Sequence, residues 1–208
     1  MSQILACKNE KGIILASDSK AVDFDLQGNM VEYSIKRLCQ LTPNTAIVAG
    51  GSAAGEKMCK SLKDFVGQEN LVNIEDVHNA ALPFLASEYE HFMKKACEYL
   101  PIDPINQVHF ILAGYSAKAT KNPFRLYLLW TKKKLPLLDG DEISAAYSIP
   151  RLISLEYQLG RLCKDNENLN GILPQIKSHF KKQSKINDEI AGPFSYAFIT
   201  RDGFHAVQ

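Results

Sequence analysis

The sequence has no apolar run long enough to cross a bilayer and no basic start leading into an apolar stretch of the secretory kind. It has almost no net charge: 24 basic side chains against 23 acidic ones leave +1 at pH 7. That removes the electrostatic case for nucleic acid or an anionic membrane as a partner. Cysteine is sparse, and the five present (Cys7, Cys39, Cys59, Cys97, Cys163) are odd in number, scattered and without CxxC spacing. This argues against a disulfide framework and a zinc site, and it suits a reduced, cytoplasmic interior. The five histidines are equally dispersed, with no HxxxH pair, and read as structural. The run Lys132-Lys133-Lys134 is short and sits before a proline turn, so it reads as a solvated loop. There is no linker, low-complexity tract or internal repeat. The expectation is one domain over residues 1–208, without metal or cofactor.

What is present is an ordinary globular share of hydrophobic residues, 46%, arranged with a period that switches in a regular order. A hairpin over Ile4 to Ala16 is followed by a polar stretch, Asp18 to Glu32. A second strand pair, 37–41 and 45–49, turns at Thr42-Pro43-Asn44. Gly50-Gly51 then opens a small-residue helix running to about Phe65. A longer helix starts near Asn73, with Val77, Ala81, Leu85 and Tyr89 on one face, and Pro83 is expected to kink it. The loop Pro101 to Pro104 ends it. Strands 108–115 and 124–130 follow, with a short one near Ser144 to Tyr147. Pro150 suits the first position of a helix from about Ile149 to Leu162. A further helix covers roughly Leu169 to Ser184, and strands 194–200 and 204–207 close on the turn Arg201-Asp202-Gly203. Two helix pairs set between antiparallel strands predict an α+β fold of two packed sheets with helices on the outer faces.

The first two residues gain meaning from this frame. If Met1 is removed, Ser2 carries a hydroxyl nucleophile and a free α-amine on one residue. An α-amine titrates near pH 7.7–8.0, so it can accept a proton without a histidine.

Four segments together resemble proteasome β-type subunits and their bacterial relatives among the N-terminal nucleophile hydrolases. They are Gly12-Ile13-Ile14-Leu15-Ala16-Ser17-Asp18-Ser19-Lys20-Ala21; Lys36-Arg37-Leu38-Cys39-Gln40-Leu41 with Ala46-Ile47-Val48-Ala49-Gly50-Gly51; Phe110-Ile111-Leu112-Ala113-Gly114-Tyr115 with Leu126-Tyr127; and Asp188-Glu189-Ile190-Ala191-Gly192-Pro193 with Ala197-Phe198-Ile199-Thr200-Arg201-Asp202-Gly203. The resemblance implies a four-layer αββα sandwich. It aligns Ser2 with the family's nucleophilic threonine if the first strand carries no gap. An extra residue in the turn Lys8 to Gly12 would instead put Met1 there, and the sequence leaves both arrangements open. Asp18 matches the aspartate beside the nucleophile. Arg37 falls where the family has its catalytic lysine, with Lys36 next to it. Arginine cannot exchange a proton at neutral pH, and Lys36 would need a bulge or slipped register to face the site. Gly51 matches the glycine whose N–H forms the oxyanion hole, and Gly50 lets a substrate backbone approach. Ser148 and Asp188 match residues that support the amine, although Ser148 also reads as a helix cap and Ala191 replaces a companion serine. Ala21 and Ala53 are candidate walls of a small apolar specificity pocket.

Three readings follow from the resemblance. The first is a proteasome-like endopeptidase subunit that cuts polypeptide or peptide substrates with Ser2, in a homo-oligomeric ring. The second is a non-catalytic structural subunit of such a ring, which Arg37, Ala191 and the lost glycines around Ser148 fit. The third is an amidohydrolase or transpeptidase acting on a small substrate.

Overall fold

The computed structural model describes residues 2–24, 27, 29–97, 107–131 and 138–207. Met1, the loop Pro101 to Pro104 and the lysine run Lys132–Lys134 lie outside the described residues. In chain order the elements are β1 (Ile4–Asn9), β2 (Gly12–Ser17), β3 (Lys20–Phe24), β4 (Met30–Ser34), β5 (Leu38–Thr42), β6 (Thr45–Gly51), α1 (Ala54–Gln68), α2 (Ile74–Cys97), β7 (Val108–Tyr115), β8 (Phe124–Thr131), β9 (Leu138–Glu142), β10 (Ala146–Ile149), α3 (Ile153–Lys164), α4 (Leu169–Ile186), β11 (Ser195–Thr200) and β12 (Gly203–Val207).

Two five-stranded antiparallel sheets, β10-β1-β2-β11-β12 and β5-β6-β7-β8-β9, carry the fold, and β3-β4 forms a small third sheet. Strand parity explains the layering. On β1 and β2, Ile4, Ala6, Ile13 and Leu15 face the opposing sheet, where they meet Val48, Ile111 and Ala113. The alternate residues Leu5, Cys7, Ile14 and Ala16 pack beneath α3 and α4, against Leu159, Ile172, Ile176 and Phe180. On the other sheet Ile47, Ala49, Phe110 and Leu112 pack beneath α1 and α2, against Leu62, Val66, Val77 and Leu85. The central strands are therefore apolar on both faces, which is why they read as continuous apolar runs rather than as alternating ones. The order of layers is helix pair, sheet, sheet, helix pair.

Three local differences from the sequence reading have physical causes. The stretch taken as polar, 18–32, holds β3 and the first residues of β4, which pair as a hairpin; every residue of β4 is exposed, so no core face patterns it. β9 pairs along the edge of β8 around Gly140 with acidic neighbours, a composition poor in strand formers. α3 begins at Ile153 rather than at 149 because Ser148 and Ile149 still pair with β1 and hold the chain extended.

Candidate active site at one end of the sandwich

Topology gathers the residues. The start of β1 lies opposite the end of β2 through the Ile4–Ser17 pair, and the start of β5 lies beside the end of β6 through the Leu38–Val48 pair. Ser2 and Arg37 just precede strands, while Asp18 and Gly51 stand where strands end. All four therefore meet at one end of the sandwich.

Gly51 donates its N–H to Ser2 Oγ at 2.5 Å. Its φ of +85° belongs to the left-handed region, and a Cβ there would overlap the Gln107 carbonyl oxygen, so only glycine presents the N–H in this way. That same carbonyl accepts from Ser52 N–H (2.9 Å), which pins the turn. Behind Ser2, Asp18 is fixed by a reciprocal pair with Gln3: Gln3 N–H donates to Asp18 Oδ1 and Asp18 N–H donates to the Gln3 carbonyl, both at 3.0 Å. Arg37 Nε lies 3.3 Å from Asp18 Oδ1, with both side chains buried. The guanidinium also donates to the carbonyls of Gly51 (3.3 Å) and Lys20 (2.5 Å), tying the oxyanion turn to the start of β3. Burial pushes the Asp18 carboxyl up to about 6, more than the nearby Arg37 charge and the Gln3 N–H draw it down. Burial likewise lowers Arg37. Desolvation outweighs attraction for both partners, as expected of a buried ion pair.

Ser2 thus presents its hydroxyl to the only backbone N–H that donates to it among the described residues, and Arg37 rather than Lys36 turns inward. Lys36 is exposed, and its N–H donates to Glu56 Oε1 (3.4 Å). Ser148 is fully buried but pairs with Leu5, so it lies on the α3 face of the sheet, opposite in parity to Ile4. Its hydroxyl bonds Glu156 Oε1 (2.7 Å) and the Pro150 carbonyl (3.0 Å), and accepts from Leu152 N–H (2.9 Å). The structure therefore puts Ser148 in the polar cluster with Glu156 that leads into α3, whose N-cap is Leu152, and its hydroxyl bonds that cluster rather than Ser2. Asp188 is exposed, and the tie between its loop and the site runs through main chain: Lys20 Nζ donates to the Asp188 carbonyl (2.5 Å), and Ser19 N–H to the Ala191 carbonyl (3.1 Å). Ala21 is buried on β3 opposite Tyr33, Ala53 is half-buried at the N-cap of α1, and Gly50 lies opposite His109 where a Cβ would press on Ile4.

Two residues escaped the sequence reading. Gln3, wholly buried, holds Asp18 through its backbone while its side-chain Nε2 meets His179 Nε2 at 2.9 Å. Its signal was a polar residue at the mouth of an apolar strand. Glu156 organises the α3 cap and also takes Arg151 in a two-pronged pair (2.7 and 2.9 Å). Burial pushes its carboxyl up, but the bonds from Arg151 and Ser148 prevail and hold it below its usual value. The Ser148 to Glu156 spacing was the available sign.

No family model matches the sequence, and comparison with curated proteins gives no match. Solved structures do match. Anbu (ancestral beta-subunit) from Yersinia bercovieri is similar over 99% of this chain and 87% of its own, with a TM-score of 0.69 at 10% identity. An Anbu (Gly-1) mutant from Hyphomicrobium sp. strain MC1 is similar over 100% of this chain and 86% of its own, with a TM-score of 0.69 at 14% identity. The likeness is one of fold. It corrects the family reading made from the four motifs: the structural neighbours are Anbu proteins, proteasome-like but a family distinct from the proteasome β-type subunits the motifs suggested. Short strand-and-glycine motifs follow from the shared sandwich and do not separate families that share it. The fold itself is the proteasome-like αββα sandwich. No helix among the described residues is long and apolar enough to cross a membrane.

Proposed function

We propose that the chain is an amide-bond hydrolase that uses Ser2 as an N-terminal nucleophile after loss of Met1, with peptides as substrates. The observation that carries this reading is the 2.5 Å contact from Gly51 N–H to Ser2 Oγ above the buried Asp18–Arg37 pair. The Ser2 α-amine takes the hydroxyl proton and Oγ attacks the carbonyl. The oxyanion forms against Gly51 N–H, a donor of a kind typically worth ~3 kcal/mol. The amine then returns the proton to the leaving nitrogen, and water releases the acyl group from Ser2. Arg37 supplies fixed positive charge that favours the neutral amine and orients Asp18, while the amine alone carries the proton. The proteasome-like fold supports assembly of several copies into a ring with the Ser2 ends facing a shared chamber.

The second reading is a non-catalytic subunit of such an assembly. Arg37 favours it, since a guanidinium replaces an exchangeable ammonium in the most buried part of the site. Intact mass together with hydrolysis of fluorogenic peptides separates the two. Loss of Met1 and activity that disappears in Ser2→Ala are expected. A retained Met1, or equal rates in both proteins, would overturn the catalytic reading.

A further inference from the structure

A cluster of charges lies at the opposite end of β1, about six residues or roughly 20 Å of strand from Ser2. A cavity of about 660 Å³ opens there, within the size range of small-molecule sites, and its lining includes Lys8, Glu10, Arg125, Glu142, Lys164 and Asn166. Topology brings them together: Lys8 and Glu10 flank the end of β1, Arg125 stands at the start of β8, Glu142 at the end of β9 and Lys164 at the end of α3. Lys8 Nζ lies 3.2 Å from Glu142 Oε1, and Arg125 Nη1 lies 3.1 and 3.4 Å from the two oxygens of the same carboxylate. Two cations thus share one anion. Among the described residues Lys8 Nζ bonds nothing else, although an ammonium has three donors, and the enclosed Arg125 Nε has no hydrogen-bond partner. The Lys8 side chain is only 11% exposed, so water does little to complete its shell. Burial lowers the Lys8 ammonium by more than Glu142 raises it, and the Arg125 charge lowers it further. Lys164 adds a third cation, exposed and without an acidic partner among the described residues. The opposing carboxylate left in the lining is Glu10, which accepts from Asn166 Nδ2 (3.0 Å).

We propose that this cavity binds a small organic oxyanion, a phosphate ester or a carboxylate, with Lys8, Arg125 and Lys164 as its donors. Ammonium and guanidinium groups take such oxygens in charge-assisted bonds, stronger than those between neutral groups. The incoming oxyanion uses the Lys8 donors that Glu142 leaves free and the part of the guanidinium that Glu142 does not engage. Glu142 meanwhile holds the two like charges side by side before the ligand arrives, so little ordering is left to the binding step. The lining carries three cations against two carboxylates. One oxyanion therefore brings the cavity to neutrality, whereas an amine would add to its excess. The volume exceeds what an inorganic oxyanion fills, which leaves room for an organic body on the head group. The cavity shares no residue with the cluster of Ser2, Asp18, Arg37 and Gly51.

The test is isothermal titration calorimetry of the full chain with phenyl phosphate and with benzoate, at an ionic strength held constant with chloride. Saturable binding of at least one probe is expected, and the tighter of the two identifies the head group. Lys164→Gln removes an exposed, unpaired charge and should weaken that probe by about tenfold, the effect of one lost charge-assisted bond. Lys63→Gln, an exposed lysine of α1 away from the cavity, should bind as the parent does. Arg125→Gln, checked for its fold by circular dichroism, should bind neither probe. No saturable binding of either probe overturns the proposal. So does parent affinity in Lys164→Gln or in folded Arg125→Gln, or an equal loss in Lys63→Gln, which would mark screening rather than a site. Ser2→Ala should bind the probe unchanged, so the outcome is separable from the role of Ser2 in hydrolysis.

Discussion

Asp18 is the residue whose ionisation matters most. Its folded pKa of about 6 lies above the ordinary 3.8, so between those values the folded chain binds more protons than the unfolded one. The Asp18 contribution to stability is therefore present below about pH 4 and is lost as pH rises through 6. At about 1.4 kcal/mol per unit, ionised Asp18 costs the folded state on the order of 3 kcal/mol at neutral pH. An NMR titration of the Asp18 carboxyl should give a midpoint near 6, and a chemical-denaturation series should lose the corresponding slope in Asp18→Asn. A midpoint near 4 would show that Arg37 compensates burial more fully than the 3.3 Å geometry implies. Gly51 is the second decisive residue. Gly51→Ala places a methyl group against the Gln107 carbonyl at a φ that L-residues adopt at a cost of roughly 1–2 kcal/mol. The N–H must turn from Ser2 Oγ to relieve it, so kcat for peptide hydrolysis should drop by about 10²-fold, the usual effect of a lost oxyanion donor. A variant that melts lower yet hydrolyses at the parent rate would remove Gly51 from the reaction.

At the scale of elements, the junction between β10 and α3 is held by polar groups where the sequence suggested a catalytic support. Ser148 Oγ, Glu156 and the Leu152 N–H close a cap that lets the chain leave the sheet and start a helix. Removing the hydroxyl takes one bond each from the Leu152 N–H and from Glu156 Oε1, while the Leu152 N–H keeps Glu156 Oε1 (3.3 Å) and that oxygen keeps the Ser148 N–H (3.0 Å) and Arg151 Nε (2.9 Å). Ser148→Ala should therefore lower stability by about 1 kcal/mol, the net worth of a hydrogen bond, with kcat unchanged. A fall in kcat at constant stability would return Ser148 to the site. Helix faces and strand runs were easy to read, because one apolar stripe or one unbroken apolar run marks a buried element. The β3-β4 hairpin and β9 were not, because β4 is exposed throughout and β9 is a run of acidic residues around Gly140, so neither carries an apolar strand pattern in the sequence.

At the scale of the molecule, the αββα sandwich gathers Ser2, Asp18, Arg37 and Gly51 at one end. The proposed ring is tested by native mass spectrometry of the full chain. A closed assembly of several copies is expected, and a monomer at every concentration measured would remove the chamber from the proposal.

By itself the sequence determined the layered sandwich, because continuous apolar strands and one-sided helices leave few other ways to bury their faces. It also determined the chemical types available at the site: a hydroxyl at position 2, a carboxylate at 18, a guanidinium at 37 and paired glycines at 50 and 51. Tertiary structure alone decided which of these meet. Side-chain parity separates Ser148 from Ser2 across one sheet and turns Lys36 outward while Arg37 turns in. The two-residue turn between Asn9 and Gly12 sets the β1–β2 register, which brings Ser2 rather than a neighbour onto Gly51 N–H. Register and parity belong to pairings between distant segments, and those contacts exist only once the sheets are assembled.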